Sequence, residues 1–337
     1  MLKVAVVGCG YWGSHLLRNF NNSEEWDLVY LCDIDHNHLN KLSKLYPNQK
    51  MTGNYHDILE DDTIDAVVIA TPSNTHFQIA KDALLADKHV WVEKPFTQNS
   101  NDAIELVKIA KVKDLIINVD HTYLYTNAVR KIKDIIDSGE LGNIIYIDAI
   151  RINLGLFRHD ENVLWDLAPH DISMISYLNP IKPVSISATG NAYYQYSNKK
   201  LEESAYITIK YQDNSIAHIN VNWLSPVKIR QVIIGGTKKM LVFDDMQTVE
   251  KIKVYDSGVT LQTREEVYDT LVQYRSGDMY SPVIKSNEAL ATECNSFYNC
   301  IVNKTKSYTD GEAGLMNVKL LEAAQLSLEN NGKEIIL

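Results

Sequence analysis

A glycine-rich segment directly after an apolar strand is the feature that most restricts how this chain folds. The apolar run Lys3–Val7 leads into GCGYWG at positions 8–13, a G-x-G-x-x-G pattern, and the residues that follow have helical spacing. Gly8 permits a tight turn, Gly10 lets the backbone approach a pyrophosphate, and Gly13 lets helix and strand pack closely. Because the helix N-terminus attracts negative charge, the pattern predicts a dinucleotide at the ends of parallel strands.

An acidic residue closes the next predicted strand. Asp33 lies 20 residues after Gly13, where its carboxylate can accept hydrogen bonds from an adenosine ribose. It would repel the 2′-phosphate of NADP, and the next basic residue is Lys41. We therefore expect NAD, with NADP less favoured. The alternative is that Asp33 is a surface-turn aspartate.

Two hydrophobic patterns divide the chain. Up to about residue 120, continuous apolar runs alternate with helical segments, as in a doubly wound parallel sheet covered on both faces. From Val184 to Val254 most segments alternate apolar and polar residues, which is typical of an antiparallel sheet with one covered face. The predicted fold is α/β: an N-terminal Rossmann domain, 1–122, and a C-terminal α+β domain, 123–337, with a large, mostly antiparallel open sheet.

Two further strand ends carry candidate cofactor residues. In the segment ATPSNTH, 70–76, Thr71 and Asn74 can contact the ribose or nicotinamide side, although Asn74 or Thr75 could instead cap a helix. His76 is either a cofactor contact or a capping or packing residue. The full set predicted for cofactor binding is Gly8, Gly10, Tyr11, Trp12, Gly13, Asp33, Thr71, Pro72, Asn74, His76, Glu93 and Lys94.

The tripeptide Glu93-Lys94-Pro95 follows the short apolar strand His89–Val92. Lys94 precedes proline, which disfavours helical backbone, so its side chain can leave the strand end toward the cofactor crevice. A lysine near a pyridinium ring can take part in proton transfer. The alternative is an ordinary surface lysine.

The second candidate chemical group is the pair Asp166 and His170, four residues apart and on one face if the segment is helical. Pro169 leaves open whether Asp166 precedes that helix, as it would if the proline were the first helical residue. Histidine suits a general base because it titrates near neutrality. The spacing alone equally fits a capping or core histidine.

These motifs together resemble the Gfo/Idh/MocA family, which includes glucose-fructose oxidoreductase and inositol dehydrogenase, over essentially the whole chain. The resemblance rests on the glycine loop, the 70–76 segment, the Glu-Lys-Pro tripeptide, and Asp166 with His170. It implies that Lys94, His170 and Asp166 act on a sugar or cyclitol hydroxyl, and that the Lys94–Pro95 bond is cis. It also implies a homo-oligomer, a dimer or tetramer, built on the open face of the second sheet.

The substrate is less constrained than the cofactor. Arg151 and Arg158 could bind a phosphate or carboxylate with forked donors, which would suit a nucleotide sugar oxidised at its 3-hydroxyl, or they could be surface residues. Bulky residues, 162–165, replace the glycine-rich lead that many relatives have before the Asp/His helix. The residues predicted for substrate binding are Tyr123, Asn127, Arg151, Asn153, Arg158, Asp166 and His170.

Composition excludes several other classes of protein. The chain has 33 basic and 43 acidic residues, a net charge of −10, which disfavours nucleic-acid and anionic-membrane partners. No apolar run approaches a membrane span, no secretory signal is visible, and the spacing of the four cysteines fits neither zinc nor pairing, so we expect a cytoplasmic protein with reduced cysteines. The pairs His36/His38 and His159/Asp160 lack further metal ligands at recognisable spacing, so no metal is expected.

Other functions remain compatible with these motifs. The resemblance also covers inositol or polyol dehydrogenases and hydrolases that oxidise their substrate only transiently with NAD. A non-enzymatic NAD-binding regulator on the same fold is a further alternative, although it would not need to retain Lys94 and His170.

Overall fold

The computed structural model describes residues 1–155, 157–159, 161–194, 201–262 and 271–337. Its strands are β1 Leu2–Val7, β2 Trp26–Cys32, β3 Lys50–Thr52, β4 Ala66–Ile69, β5 His89–Val92, β6 Ile117–Val119, β7 Ile144–Leu154, β8 Pro183–Asn191, β9 Ser204–Tyr211, β10 Ile216–Asn222, β11 Leu224–Gly236, β12 Met240–Asp244, β13 Ile252–Gln262, β14 Leu271–Tyr280 and β15 Ile335–Ile336. Its α-helices are α1 Tyr11–Asn21, α2 His36–Leu45, α3 His56–Leu59, α4 His76–Leu85, α5 Ser100–Lys113, α6 Asn127–Asp137, α7 Val163–Leu178, α8 Ala289–Asn303 and α9 Gly311–Glu329.

The chain divides into two compact units. The first contains residues 1–126 and 287–319, and the second contains 127–286 and 320–337. The predicted division placed everything after residue 122 in the second domain. The difference arises because α8 packs on the first unit: Phe297 stacks on Trp26 with ring centroids 5.4 Å apart, and Trp26 Nε1 donates to the Cys294 carbonyl at 3.1 Å.

The first unit contains a parallel sheet in the order β3-β2-β1-β4-β5-β6, which confirms the predicted Rossmann architecture. The strand order reverses between β1 and β4, and ligands of open parallel sheets bind at such a switch point. Because all strands run in the same direction, the residues after β1, β2, β4, β5 and β6 lie along one edge of the sheet.

The second unit is built on a sheet in the order β14-β13-β12-β11-β7-β10-β9-β8-β15. Strands β7 and β10 run parallel and the other neighbouring pairs run antiparallel, so the predicted mostly antiparallel sheet is confirmed. Helix α7 packs on β7, β9 and β10. Along β9 the side chains of Ala205, Ile207 and Ile209 are buried, whereas Tyr206 between them is exposed.

Among the described residues, no helix combines the length and the hydropathy that a membrane-spanning segment needs.

Candidate functional site

The glycine loop between β1 and α1 has the geometry that the motif predicts. Gly8 has φ +90°, and a Cβ built there would lie 2.6 Å from the backbone carbonyl of Ala70. A Cβ on Gly13 would lie 2.0 Å from the Gly8 carbonyl oxygen, whereas one on Gly10 would meet no atom within 4 Å. The backbone therefore requires Gly8 and Gly13, and Gly10 leaves open space at the N-terminus of α1, the position that the motif predicts for a pyrophosphate.

This geometry predicts that alanine at Gly13 affects stability, whereas alanine at Gly10 affects NAD binding. Gly13→Ala should lower the free energy of unfolding by about 1–3 kcal/mol, because the new Cβ overlaps the Gly8 carbonyl. The matched variant Gly10→Ala should retain most of the stability but bind NAD more weakly, because its methyl group occupies the open space. Denaturant unfolding and NAD titration measure the two effects, and equal destabilisation by both variants would contradict this interpretation.

Asp33, at the end of β2, holds the glycine loop. One carboxylate oxygen accepts from the backbone N–H of Cys9 at 2.8 Å, and the other accepts from the N–H of Asp35 at 2.9 Å. The Nε2 atom of His38 lies 2.7 Å from the Cys9 carbonyl oxygen. Asp33 remains half-buried at the sheet edge, so the predicted contact to a ribose would be an added role rather than its only one.

Of the residues predicted for cofactor binding in the segment after β4, one is buried and several are accessible to solvent. His76 is 1% exposed, with Nδ1 2.9 Å from the Pro95 carbonyl oxygen and Nε2 2.9 Å from that of Thr71. These contacts support the packing role for His76 rather than the predicted cofactor contact. Asn74 and Pro72 are exposed, and neither Asn74 nor Thr75 makes a side-chain cap on α4.

Lys94 lies half-buried after β5, and its bond to Pro95 is cis, as the resemblance implies. Its positive charge contributes to lowering the pKa of two buried histidines, His76 and His121, for which burial is the larger cause. Lys94 is therefore a cation at this strand end that acts electrostatically on both rings.

In the second unit, α7 carries Asp166 and His170 one helical turn apart. The helix begins after Asn162, whose side chain accepts from the Trp165 N–H at 3.2 Å, so Pro169 lies inside the helix and Asp166 in its first turn. Both side chains are half-buried. This arrangement settles the question that Pro169 left open, since the two residues share one helix face.

Two neighbours fix the Asp166 carboxylate. Trp223 Nε1 donates to one oxygen at 3.2 Å, and the Arg158 guanidinium lies 3.4 Å from the other. Trp223 is itself 1% exposed, and its ring packs edge-on against Phe157, with centroids 6.0 Å apart. Trp223 is not among the residues predicted from the sequence, although an aromatic residue with an N–H donor just after a strand is a usable signal.

The other predicted substrate residues differ in accessibility. Arg151 is 3% exposed and donates from Nε and Nη2 to Asp171 at 2.7 and 3.0 Å. The guanidinium of Arg151 is therefore paired with Asp171 inside the second unit, which does not support the prediction that Arg151 binds a phosphate. Asn153 is half-buried, and Asn127 donates its amide to the Lys285 carbonyl at 2.9 Å. Tyr123, in the first unit, is also half-buried.

The described residues contain no group of three or more His, Cys, Asp or Glu side chains arranged to hold a metal ion. His159 is exposed, and Asp160 lies outside the described residues.

Two family models match this chain. The model of an oxidoreductase family with an NAD-binding Rossmann fold matches residues 2–121, and the Gfo/Idh/MocA C-terminal domain matches residues 129–242. The NAD-binding model covers the glycine loop, Asp33 and Lys94, and the second covers Asp166 and His170.

Similar proteins have related activities. The myo-inositol 2-dehydrogenase of Thermotoga maritima is 21% identical, over 97% of this chain and 96% of its own. The UDP-N-acetylglucosamine 3-dehydrogenase of Acidithiobacillus ferrooxidans is 26% identical, over 74% of each chain. The structure of scyllo-inositol dehydrogenase from Lactobacillus casei, solved with NAD(H) and scyllo-inositol, superimposes with a TM-score of 0.80 at 21% identity, over 100% of this chain and 99% of that one.

The parallel sheet, the glycine loop at its switch point and the two matching models agree with one another. This chain is an NAD-binding oxidoreductase that belongs to the Gfo/Idh/MocA family.

Proposed function

We propose that the protein oxidises a ring hydroxyl of a sugar or nucleotide sugar and uses NAD in preference to NADP. The observation that carries this proposal is the fixed carboxylate of Asp166, held between Trp223 and Arg158, with His170 one turn further along α7. A carboxylate that accepts hydrogen bonds can orient a substrate hydroxyl, and a histidine beside it can remove the hydroxyl proton.

The proposed roles follow from the chemistry of each side chain. His170 acts as the general base, Lys94 polarises the hydroxyl oxygen or shares its proton, and Asp166 orients the hydroxyl. When bound, NAD accepts the hydride from the ring carbon. The preference for NAD follows from Asp33, whose carboxylate would repel a 2′-phosphate on the ribose.

The position of Arg158 supports a nucleotide sugar, among the sugars considered, as the substrate. Its side chain is about half exposed, and its guanidinium lies within ion-pair distance of the carboxylates of Glu161 and Asp166. A guanidinium in this position can also bind a diphosphate. The similarity to a UDP-N-acetylglucosamine 3-dehydrogenase supports the same substrate class, whereas the similarity to inositol dehydrogenases supports a free polyol as the second candidate.

A single-turnover experiment tests the substrate class. Protein and NAD are mixed with UDP-sugars, dTDP-sugars, free hexoses and inositols, and NADH absorbance is followed. A burst with one nucleotide sugar is the expected result, and Arg158→Gln should then raise KM for that substrate, whereas Arg275→Gln, which removes an exposed arginine paired with Asp256, should not.

The other outcomes of this experiment separate the alternatives. A burst only with a free polyol would favour an inositol-type dehydrogenase. If no compound gives NADH although NAD still binds, the result would favour a hydrolase with transient oxidation or a non-enzymatic regulator.

We also propose that the protein forms a homo-oligomer through the open face of the second unit's sheet. Tyr206 on β9 is 54% exposed there, and Ile150 and Ile152 of β7, which lie on the same face by strand register, are half-buried. Light scattering of the purified protein tests this, and a monomer at all concentrations would contradict it.

A further inference from the structure

The glycine-loop residue Cys9 has its backbone and its thiol in contact with the segment that runs from the end of β2 into α2. Cys9 is 0% exposed, and its backbone N–H donates to Asp33 Oδ2 at 2.8 Å. Its Sγ atom donates to the Cys32 carbonyl oxygen at 3.4 Å, and its own carbonyl oxygen lies 2.7 Å from His38 Nε2. Neither the glycine motif nor the acidic residue after β2 accounts for the contact from His38.

The chemistry of the two groups fixes the direction of the hydrogen bond from His38. A carbonyl oxygen only accepts, so Nε2 of His38 must carry a proton and donate it. The distance of 2.7 Å lies at the short end of the range for an N–H···O bond. Because the side chain of His38 is half-buried, the bond is partly shielded from competing water.

The N-terminal cap of α2 determines where His38 lies. Asp35 precedes the helix, and its Oδ1 atom accepts from the backbone N–H groups of Asn37 at 2.9 Å and of His38 at 3.2 Å. The backbone N–H of Asp35 in turn donates to Asp33 Oδ1 at 2.9 Å. The cap of one helix therefore connects Asp33 with His38, and both of these residues contact Cys9.

The carbonyl of Cys9 belongs to the same peptide group as the N–H of Gly10. This peptide is trans, and in a planar trans peptide the C=O and N–H bonds point in opposite directions. A donor that holds the Cys9 carbonyl toward α2 therefore orients the Gly10 N–H away from α2. A Cβ on Gly10 would meet no atom within 4 Å, and the motif assigns this part of the loop to the pyrophosphate.

His36, in the same turn of α2, has a different environment. It is exposed, and a Cβ built on Gly53 would lie 2.8 Å from its Cε1 atom, so the ring covers Gly53 after β3. His36 is therefore a matched control for His38, because it has the same side chain on the same helix but packs on another loop.

We propose that His38 is a positioning residue for the pyrophosphate of NAD: its Nε2–H holds the Cys9 carbonyl and thereby directs the Gly10 N–H to the phosphate oxygens. Asp33 fixes the peptide before Cys9, and His38 fixes the peptide after it. Because both peptides are fixed before NAD binds, the affinity is not reduced by the entropy of ordering them. Without the donor, the second peptide can rotate and its N–H loses the alignment.

NAD titration of three variants tests the need for a donor. His38→Phe keeps a ring but has no donor, and it should weaken NAD binding roughly three- to tenfold, the range for one lost hydrogen bond. His38→Gln can place an amide N–H where Nε2 lies and should retain most of the affinity. His36→Phe should bind NAD as the wild type does. Wild-type affinity in His38→Phe, or an equal loss in His38→Gln and His38→Phe, would overturn the proposal.

Shorter ligands show which part of NAD depends on His38. ADP-ribose contains the pyrophosphate without the nicotinamide, so its affinity for His38→Phe should fall by the same factor as that of NAD. Adenosine lacks the phosphates and should bind His38→Phe as it binds the wild type. An equal loss for adenosine would place the effect at the ribose contact expected of Asp33 and would contradict a pyrophosphate role. These titrations do not depend on the proposed sugar reaction.

NMR of the wild-type protein labelled with ¹⁵N-histidine tests the hydrogen bond without a substitution that could affect folding. A neutral imidazole carries one ring proton, and at alkaline pH the proton of His38 should be on Nε2, as its ring ¹⁵N shifts report. The signals of His38 are identified by their absence from the spectrum of His38→Gln. A proton on Nδ1 instead would exclude a donor to the Cys9 carbonyl and would overturn the proposal.

Discussion

Lys94→Ala should lower the rate of NADH formation in single turnover by roughly 10²–10⁴-fold, the range for a side chain that takes part in proton transfer. The physical reason is that the ammonium stabilises the oxygen that becomes negative as its proton leaves, and that charge develops only in the transition state. NAD affinity should change little, because we expect the glycine loop and Asp33 to supply most of the cofactor contacts. Stopped-flow absorbance and NAD titration separate the two quantities.

The matched control for this variant is Lys108→Ala. Lys108 is exposed on α5 of the same unit, so its removal changes net charge by the same amount without touching the strand end. If Lys94→Ala turned over normally, or lost NAD affinity and rate to the same extent, Lys94 would be a binding or structural residue.

His170→Ala should have a loss of similar size, again roughly 10²–10⁴-fold in turnover. Without the imidazole, the hydroxyl proton passes to water, and the variant should lose the pH dependence that the base imposes on turnover. A KM close to that of the wild type is expected, because Asp166 and Trp223 remain in place. Turnover measured from acidic to alkaline pH gives both results.

The control for His170 is His218→Ala in the same unit. His218 is exposed on β10 and contacts Thr208, away from α7, so it should leave the rate and its pH profile unchanged. A His170→Ala variant that keeps a normal pH profile would assign the base to another group.

The sequence was sufficient for the features that depend on local pattern. The glycine loop, the parallel strands and helix α7 follow from residue periodicity and from backbone rules that act over a few positions. The short elements Lys50–Thr52 and His56–Leu59 contain too few residues to show a period, so they were not predicted. Strands β13 and β14 were also missed, and their pairing is visible only once both are placed in the sheet.

Long-range pairing explains the differences at the site. Arg151 is a strong phosphate candidate by residue type, but the packing of α7 on β7 places Asp171 against its guanidinium. Likewise, Trp12 and Asp120 are 108 positions apart, so no local pattern indicates the hydrogen bond that Trp12 Nε1 donates to the Asp120 carboxylate. Such contacts depend on tertiary structure, which single-sequence reasoning does not supply.

The division of the first unit into residues 1–126 and 287–319 has a consequence for how the protein is synthesised. The indole of Trp26 is covered by Phe297, and Trp91 packs edge-on against the same ring, so the sheet lacks this cover until the ribosome has added the late segment. The dinucleotide-binding half is encoded first but completed after most of the second unit has emerged. We therefore expect a nascent chain to expose this aromatic surface during most of its elongation, the stage at which transiently exposed apolar surface favours aggregation.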